Sequence, residues 1–424
     1  MKFDVERSPH DSSHLIYSSG LIGALQTLSR TYVLPGDGFS MDLVGALRLS
    51  PLRRGLVADC HTDLVSFFIP HRQIYGDEWI DFIEQGYDET ITFPTEDTGS
   101  TPIGCLATNN MPAGQTLPKH IPEGYRSIWN NFFRPPTTIS ERSDLASAWT
   151  NTEARYGFAC AQMKTLRTAL LANNIGASDY EVDTTGDTLS LLDLAQQQAY
   201  LRTEQEREFF NTRYRDIISN FGGNTDYRAD DRPKMLMRTK FWASGYDVEG
   251  TSSTNLGQFA GRVVQSFNHK VPRFYVPEHG VVWTVALNRF LPSHTDENQY
   301  LDLQTNPSYD EISGDPAIIA NLPPKPYAIR DTFSGSTDAT VRGYIPEAQW
   351  YRMQPDQIHY DYKFVQGFPF QYNIPNSPQT LILVNPVEFN QMFQTTQLGH
   401  FQVQARNNVN IMRRLPTSRD ALLT

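Results

Sequence analysis

Several segments of the chain alternate apolar and polar residues with the period of two that is typical of a β-strand with one buried face. The clearest is Phe401–Leu415, in which most odd-numbered positions are apolar and every even-numbered position except Met412 is polar. Met41–Ser50 has the same pattern, and Thr62–Ile69 and Val281–Phe290 are rich in β-branched, aromatic and other apolar residues. We predict that all four are strands of one antiparallel framework.

Helical patterns are fewer. Asp77–Gln85 carries apolar residues at helical spacing and is followed by Gly86, and Tyr125–Phe133 spaces its aromatic residues three and four apart before two prolines stop it. The longest helical stretch is Leu191–Phe221, with a break expected near Thr203, where a capping box begins.

Long stretches with little periodicity separate the strand segments, and Pro292–Gly343 is an example. Long irregular loops are uncommon inside a compact domain unless they have a function. A β framework with long surface insertions that contact neighbouring subunits satisfies this condition, and jelly-roll shells are one such architecture.

Chain length and cysteine content narrow the class of protein. The chain has 424 residues, and single cores usually stop growing at roughly 250–300 residues, so we expect two domains or one domain with large insertions. The three cysteines, Cys60, Cys105 and Cys160, are far apart and odd in number, which favours free thiols in a reducing compartment. No signal peptide or transmembrane run is apparent, so we expect a soluble protein made in a cytoplasm.

The balance of charge is acidic, with 36 Lys and Arg residues against 47 Asp and Glu residues and a net charge of -11. Such a chain cannot neutralise a nucleic acid over its whole surface. Any contact with nucleic acid must therefore use a local basic patch or a basic partner protein.

The common catalytic and phosphate-binding motifs are absent from the sequence, including the P-loop, the dinucleotide-binding glycine pattern, the nucleophile elbow and the zinc-protease helix. This absence removes the common classes of enzyme without excluding every enzyme, and we expect no enzymatic activity, no catalytic residue and no cofactor. The alternative is a β-rich carbohydrate-binding or carbohydrate-active protein. That alternative would account for the many Trp and Tyr residues, but it requires a cleft with a perturbed pair of carboxylates.

Three positive charges lie close together in the sequence. Arg48 is near the end of Met41–Ser50, and Arg53 and Arg54 follow that segment. Because cations fix phosphates, these three arginines are the candidate nucleic-acid contacts. The alternative, which we weigh equally, is that they pair with acidic side chains at contacts between subunits, where arginine is favoured.

Ten runs of sequence, spread over nearly the whole chain, are informative through their order and spacing. They are Pro9–Asp11, Ser13–Leu15, Asp42–Gly55, Pro70–Arg72, Ala154–Phe158, Trp242–Val248, Val271–Phe274, Val276–Gly280, Leu415–Thr417 and Arg419–Asp420. In these runs the sequence resembles the major capsid proteins of phiX-type Microviridae bacteriophages. Runs of this length are far more specific than a short motif.

The resemblance implies a fold that is mainly β: an eight-stranded antiparallel jelly-roll β-barrel of the viral capsid type, with very long insertion loops that contain a few helices. A single capsid domain would span residues 1–424. It would carry a helical insertion between the E and F strands, at residues 160–228, and an irregular insertion at residues 292–343.

The resemblance also implies a function. Subunits of this family assemble through pentamers into a closed icosahedral shell of equivalent subunits (T=1) around a circular single-stranded DNA genome. The implied partners are copies of the same chain, a major spike protein, internal and external scaffolding proteins, a small basic DNA-binding protein, a DNA pilot protein, single-stranded DNA and host lipopolysaccharide. The implied location is the virion, assembled in the cytoplasm of the bacterial host.

Two kinds of site follow from the resemblance. In the family the insertion between the E and F strands contacts host lipopolysaccharide, and polar groups with aromatic faces suit a shallow sugar site. The candidates for host-glycan contact are therefore Tyr180, Asp183, Asp187, Gln196, Gln197 and Tyr200. The alternative, weighed equally, is that this insertion packs against a spike or a neighbouring subunit.

The second kind of site is a calcium ion that the family binds near the chain termini. Asp420 matches one of its ligand positions, but the N-terminal counterpart falls near Lys2, a cation. We therefore predict no metal, and Asp420 is the residue that a calcium ion would use.

Overall fold

The structure is a computed structural model. It describes residues 7–52, 60–84, 95–97, 104–106, 116–134, 141–142, 155, 157–160, 232–243, 245–249, 259–290, 298–319, 322, 325–331, 339, 341–345, 347–352, 354–355, 357 and 386–414. Within these ranges, no helix is long and apolar enough to cross a membrane. The three cysteines are buried, and all three are thiols that form no disulfide, as expected from the sequence.

Antiparallel strands make up about half of the described residues. They are β1 (Ser8–Asp11), β2 (His14–Gly20), β3 (Leu25–Val33), β4 (Gly38–Leu49), β5 (Cys60–Pro70), β6 (Thr95–Asp97), β7 (Thr116–Pro118), β8 (Lys234–Ala243), β9 (Gly245–Glu249), β10 (Phe259–Tyr275), β11 (Gly280–Phe290), β12 (Lys325–Ala328), β13 (Val341–Ile345) and β14 (Phe401–Arg413). The four strands predicted from periodicity are β4, β5, β11 and β14, and all four predictions are confirmed.

The helices within the described residues are short. They are α1 (His71–Tyr75), α2 (Asp77–Glu84), α3 (His120–Ile128), α4 (Tyr300–Leu303), α5 (Tyr309–Ser313), α6 (Pro316–Ile319) and α7 (Gln349–Arg352). A π-helix, Trp129–Phe133, extends α3, and 3-10 turns lie at Gly104–Leu106, Ile329–Asp331 and Pro386–Met392.

Two sheets form the framework. A six-stranded sheet has the order β1-β14-β4-β10-β9, with β2 also paired to β14, and a four-stranded sheet has the order β3-β11-β5-β8. β1 and β2 pair with successive parts of β14, and a single residue separates β8 in one sheet from β9 in the other. If β1 and β2 are taken as one interrupted strand, the larger sheet has five strands and the smaller has four, and two antiparallel sheets packed face to face are the arrangement of a jelly roll. The predicted jelly-roll fold is confirmed.

The main hydrophobic core lies between the two sheets. β4 and β14 contribute alternate residues to it, such as Leu43, Leu47, Val403 and Val409, because successive side chains of a strand point to opposite faces. This one-sided burial is the origin of the period of two in both sequences.

A second core lies on the other face of the four-stranded sheet. There Phe67 and Trp283 pack with Tyr125 and Trp129 from the α3 segment and with Phe158. β5 and β11 are therefore buried on both faces, and this explains why apolar residues occupy both odd and even positions in their sequences.

The helix predictions are confirmed in part. The helix predicted at Asp77–Gln85 is α2. The helix predicted at Tyr125–Phe133 begins five residues earlier, at His120, and its last five residues are π-helical. Pro122 made the earlier start hard to see, but a proline in the first turn of a helix costs no hydrogen bond. Leu191–Phe221 lies outside the described residues.

The insertion at residues 292–343 is not irregular throughout, and this prediction needs correction. Its described part contains α4, α5 and α6, and β12 pairs with β13 across the end of the predicted segment. Elements of four or five residues are too short to show periodicity. A local sign was present, because Ser308 and Glu311 form a capping box at α5. Of the insertion at residues 160–228, the structure describes only Cys160.

Asn407 is an exception in the main core. Its side chain is fully buried on the inward face of β14, opposite Leu43, and neither amide atom has a hydrogen-bond partner within the described ranges. A buried polar group without a partner costs about 1–3 kcal/mol. We expect Asn407→Leu to raise the free energy of unfolding by about 1 kcal/mol or more, measured by urea denaturation.

The matched control for this prediction is Asn410→Leu, since Asn410 is exposed on the same strand. That control should leave the free energy of unfolding nearly unchanged. A loss of stability in Asn407→Leu would contradict the prediction.

Candidate nucleic-acid interface

The outward face of the six-stranded sheet carries polar side chains from three neighbouring strands. Alternation along each strand turns the even-numbered residues of β14, β4 and β10 away from the main core. The exposed or half-buried ones include Gln402, Gln404, Arg406, Asn408 and Asn410 on β14, Asp42, Val44, Ala46 and Arg48 on β4, and Val264, Ser266, Asn268 and Lys270 on β10. Hereafter we call this surface the sheet face.

Pairing between strands fixes the positions of three cations on the sheet face. Arg48 lies opposite Gln402 on one side and Val264 on the other. Arg406 lies opposite Val44, and Lys270 lies opposite Asp42. Because strands lie about 4.8 Å apart and rise about 3.4 Å per residue, neighbouring cations of this set are about 12–14 Å apart. They are therefore spread along the sheet face and do not form one cluster.

Arg48 and Lys270 have no ion pair with any residue that the structure describes. The charge of Arg406 acts on Asp11, at the edge of the sheet. Hydrogen bonds from the hydroxyl and the backbone N–H of Ser13 lower the pKa of Asp11, and the positive charge of Arg406 lowers it further. The guanidinium of Arg48 is thus available to an external anion.

Neutral groups surround the cations. The amide side chains of Gln404 and Asn268 both donate and accept hydrogen bonds, so they can contact phosphates, sugars or base edges. Tyr17 on β2 lies opposite Gln404, and its side chain is 70% exposed. An exposed aromatic ring beside cations is the combination used to stack unpaired bases.

The predicted site residues are only partly described. Arg48 lies on the sheet face with its side chain exposed, whereas Arg53 and Arg54 lie outside the described residues. Sequence reasoning missed Arg406 and Lys270. Each of them occupies a polar position in a strand that alternates polar and apolar residues, and this was the available sequence signal. Only the pairing of strands shows that they share a face with Arg48.

The other candidates also lie outside the described residues. These are the host-glycan candidates Tyr180, Asp183, Asp187, Gln196, Gln197 and Tyr200 and the calcium candidate Asp420. Within the described ranges, no group of three or more His, Cys, Asp or Glu side chains could hold a metal ion. The predictions about lipopolysaccharide and calcium therefore remain predictions.

Comparison with known proteins gives full-length matches. A family model described as "Capsid protein (F protein)" matches residues 2–179 and 180–423. Capsid protein F of Escherichia phage G4 is 43% identical over 424 residues, which cover 99% of this chain and 98% of the relative. Capsid protein F of Enterobacteria phage phiK and that of Escherichia phage alpha3 are each 42% identical over 426 residues, with the same two coverages.

Proposed function

We infer that this chain is a major capsid protein, because it belongs to the family of capsid proteins called F protein. It assembles with copies of itself into a capsid and is a component of the virion. The observation that carries this conclusion is the match over nearly the whole chain to capsid proteins at 42–43% identity. The jelly roll, a fold common in viral capsids, agrees with it. The carbohydrate-binding alternative has no support among these relatives.

The finer picture is also our proposal. The subunits form pentamers and then an icosahedral shell around circular single-stranded DNA, with no catalytic activity. Spike, scaffolding, small basic DNA-binding and DNA pilot proteins take part, and the exterior contacts host lipopolysaccharide. The net charge of -11 supports a basic partner protein, because the chain lacks the cations to neutralise a genome.

Within this picture, the sheet face contacts the packaged single-stranded DNA. Arg48, Arg406 and Lys270 supply cations without gathering them into one patch. The amides between them supply uncharged hydrogen-bonding groups, and Tyr17 supplies an exposed ring. A surface of this composition binds a nucleic-acid strand with little preference for its sequence.

Co-expression of the chain with its spike and scaffolding proteins should give closed shells in electron micrographs.

Shells of Arg48→Ala and Arg406→Ala should assemble but release their DNA at a lower salt concentration than the wild-type shells. Each substitution removes one cation from the contact with phosphates, and such contacts weaken as salt rises. The measurement is the fraction of DNA that nuclease can reach as salt is raised from about 50 to about 200 mM.

The control is Arg330→Ala. Arg330 is 56% exposed, has Asp331 at 3.5 Å and lies in the 3-10 turn after β12, not on a strand of the sheet face. Its release curve should match that of the wild type. If Arg48→Ala and Arg406→Ala also match the wild type at every salt concentration, the sheet face does not hold DNA. A failure to form any shell with the wild-type chain would contradict the assembly itself.

A further inference from the structure

Three arginines from distant parts of the chain converge on the turn Gly36–Gly38. A Cβ atom placed on Gly36 would lie 3.4 Å from Nη2 of Arg7, and one placed on Gly38 would lie 3.1 Å from Nη2 of Arg273. Between the two glycines, Asp37 accepts hydrogen bonds from Nε and Nη2 of Arg413 at 2.9 and 2.7 Å. Hereafter we call this group the arginine turn.

Strand pairing and a bulge build the arginine turn. The register of β10 against β4 shifts between Val271 and Phe274, which places one extra residue on β10. Such a bulge bends the strand and redirects its side chains, and here it brings the guanidinium of Arg273 to Gly38. Arg413 is the last residue of β14, where it pairs with Ser8, the residue that follows Arg7.

The charges of the arginine turn do not balance. Asp37 is buried, and its carboxylate already accepts from Arg413 and from the backbone N–H of Leu34 at 2.8 Å. Arg7 and Arg273 are exposed and form no ion pair within the described part of the chain. Two guanidinium groups thus remain without a carboxylate partner among the described residues, beside a turn whose glycines, lacking a side chain, let both groups lie close to the backbone. Glycine is the residue that permits close approach of a ligand to the backbone.

An exposed aromatic ring borders the same space. The side chain of Tyr275 is 61% exposed, and its hydroxyl would lie 3.9 Å from a Cβ atom on Gly36. The guanidinium carbon of Arg7 lies 5.7 Å from the centroid of the Tyr275 ring. The site therefore offers two cations and an open ring face at one place.

We propose that Arg7, Arg273 and Tyr275 form a binding site for one nucleotide of a single-stranded nucleic acid, with the phosphodiester on the two guanidinium groups and the base on the ring. The planar guanidinium group matches the geometry of phosphate oxygens, and bases stack on tyrosine whatever their sequence. A carboxylate-bearing segment of a neighbouring subunit would engage the arginines but would leave the ring without a stacking partner.

The position of the arginine turn connects it to the sheet face. Gly38 begins β4, and Arg48 lies near the end of this strand, on the same outward phase of the alternation. Ten residues of extended strand separate them by about 34 Å. The identity of the ligand rests on the proposed function, whereas the anion site rests on the geometry alone.

The test is fluorescence anisotropy of a labelled oligodeoxythymidylate titrated with the purified full-length chain. Arg7→Ala and Arg273→Ala should each weaken binding and reduce the slope of log affinity against log salt by about 0.7, the value for one phosphate contact on a single strand. Arg273→Lys should retain the slope but bind less tightly, because lysine keeps the charge and loses the planar fork.

The tyrosine has a matched pair of variants. Tyr275→Leu should weaken binding about fivefold or more without changing the salt slope, since base stacking is lost and no charge is removed. Tyr275→Phe retains the ring and should bind as the wild type does. Arg330→Ala, in a turn that contributes no residue to the proposed site, should also bind as the wild type does.

Wild-type affinity and salt slope in both Arg7→Ala and Arg273→Ala would overturn the proposal. If these two variants bind the oligonucleotide normally but fail to form shells, the site is a contact between subunits and the proposal is also overturned. Electron micrographs of wild-type shells test the proposed function independently. Loss of DNA retention in Arg48→Ala alone would support the sheet face while rejecting the arginine turn.

Discussion

Lowering the pH from about 6.5 to about 4 is expected to destabilise the folded chain by several kcal/mol, because buried histidines resist protonation. Burial lowers the pKa of His71, His269 and His400 to about 4 and that of His120 to about 3. In this pH range the unfolded chain binds protons that the native chain does not, so the free energy of unfolding falls as the pH falls. Above about pH 6.5 both states are neutral and the effect disappears.

Hydrogen bonds show what protonation would disturb. Nδ1 of His400 accepts a hydrogen bond from the backbone N–H of Ile22 at 3.2 Å, and Nε2 lies 2.7 Å from the amide oxygen of Asn390. The ring is therefore neutral, with its proton on Nε2, and a second proton on Nδ1 would break the bond to Ile22. His269 lies in the main core, with hydroxyl partners Ser66 at 2.9 Å and Thr239 at 2.8 Å.

Urea denaturation of the purified chain at a series of pH values measures this effect. Each of these histidines can contribute up to about 3 kcal/mol to the difference between pH 6.5 and pH 4. His269→Gln should therefore reduce the dependence of stability on pH, whatever it does to stability at pH 7. His14→Gln, at an exposed position of β2, should not. Equal pH dependence in His269→Gln and the wild type would contradict the expectation.

The substitution Gly157→Ala, which adds a single methyl group, is also expected to destabilise the folded chain by several kcal/mol. Gly157 has a φ of +99°, and a Cβ atom there would overlap the carbonyl oxygen of Leu25 and lie 2.6 Å from the hydroxyl of Tyr125. That hydroxyl donates to the same carbonyl at 2.6 Å and accepts from the N–H of Phe158 at 3.0 Å. We expect Gly157→Ala to lower the free energy of unfolding by more than about 3 kcal/mol, because the second core must open to admit the methyl group.

Gly314→Ala separates this overlap from backbone strain. Gly314 also has a positive φ, +62°, but a Cβ atom there would meet nothing closer than Cε2 of Tyr351 at 3.9 Å. Only the strain of the left-handed conformation remains, which costs about 1–2 kcal/mol. Equal losses of stability in the two variants, measured by urea denaturation, would show that the overlap at Gly157 is relieved without cost.

Local sequence predicts the strands well and their partners poorly. The alternation in Phe401–Leu415 predicted β14 because one face of that strand is buried and the other is not. Nothing local shows that β14 lies between β4 and the two N-terminal strands, since pairing depends on residues nearly 400 positions away. The short helices after residue 299 escaped notice because an element of one turn has no period to detect.

The same limit applies to the candidate site. Arg48 could be identified because it lies near two other arginines in the sequence. Arg7, Arg273 and Arg413 are far apart in the sequence, and only the pairing of β1 with β14 and the bulge in β10 bring them to one turn.

The place of β14 in its sheet has a consequence for synthesis on the ribosome. β2 pairs with β14, and β4 has β14 on one side and β10 on the other, yet β14 is made after both of them and after most of the chain. A nascent chain released before residue 401 leaves β2 without this partner and exposes one edge of β4. Unpaired edges favour aggregation over ordered assembly. A chain that lacks residues 401–413 therefore cannot pair β4 on both sides, and we expect such truncated products to aggregate instead of entering a particle.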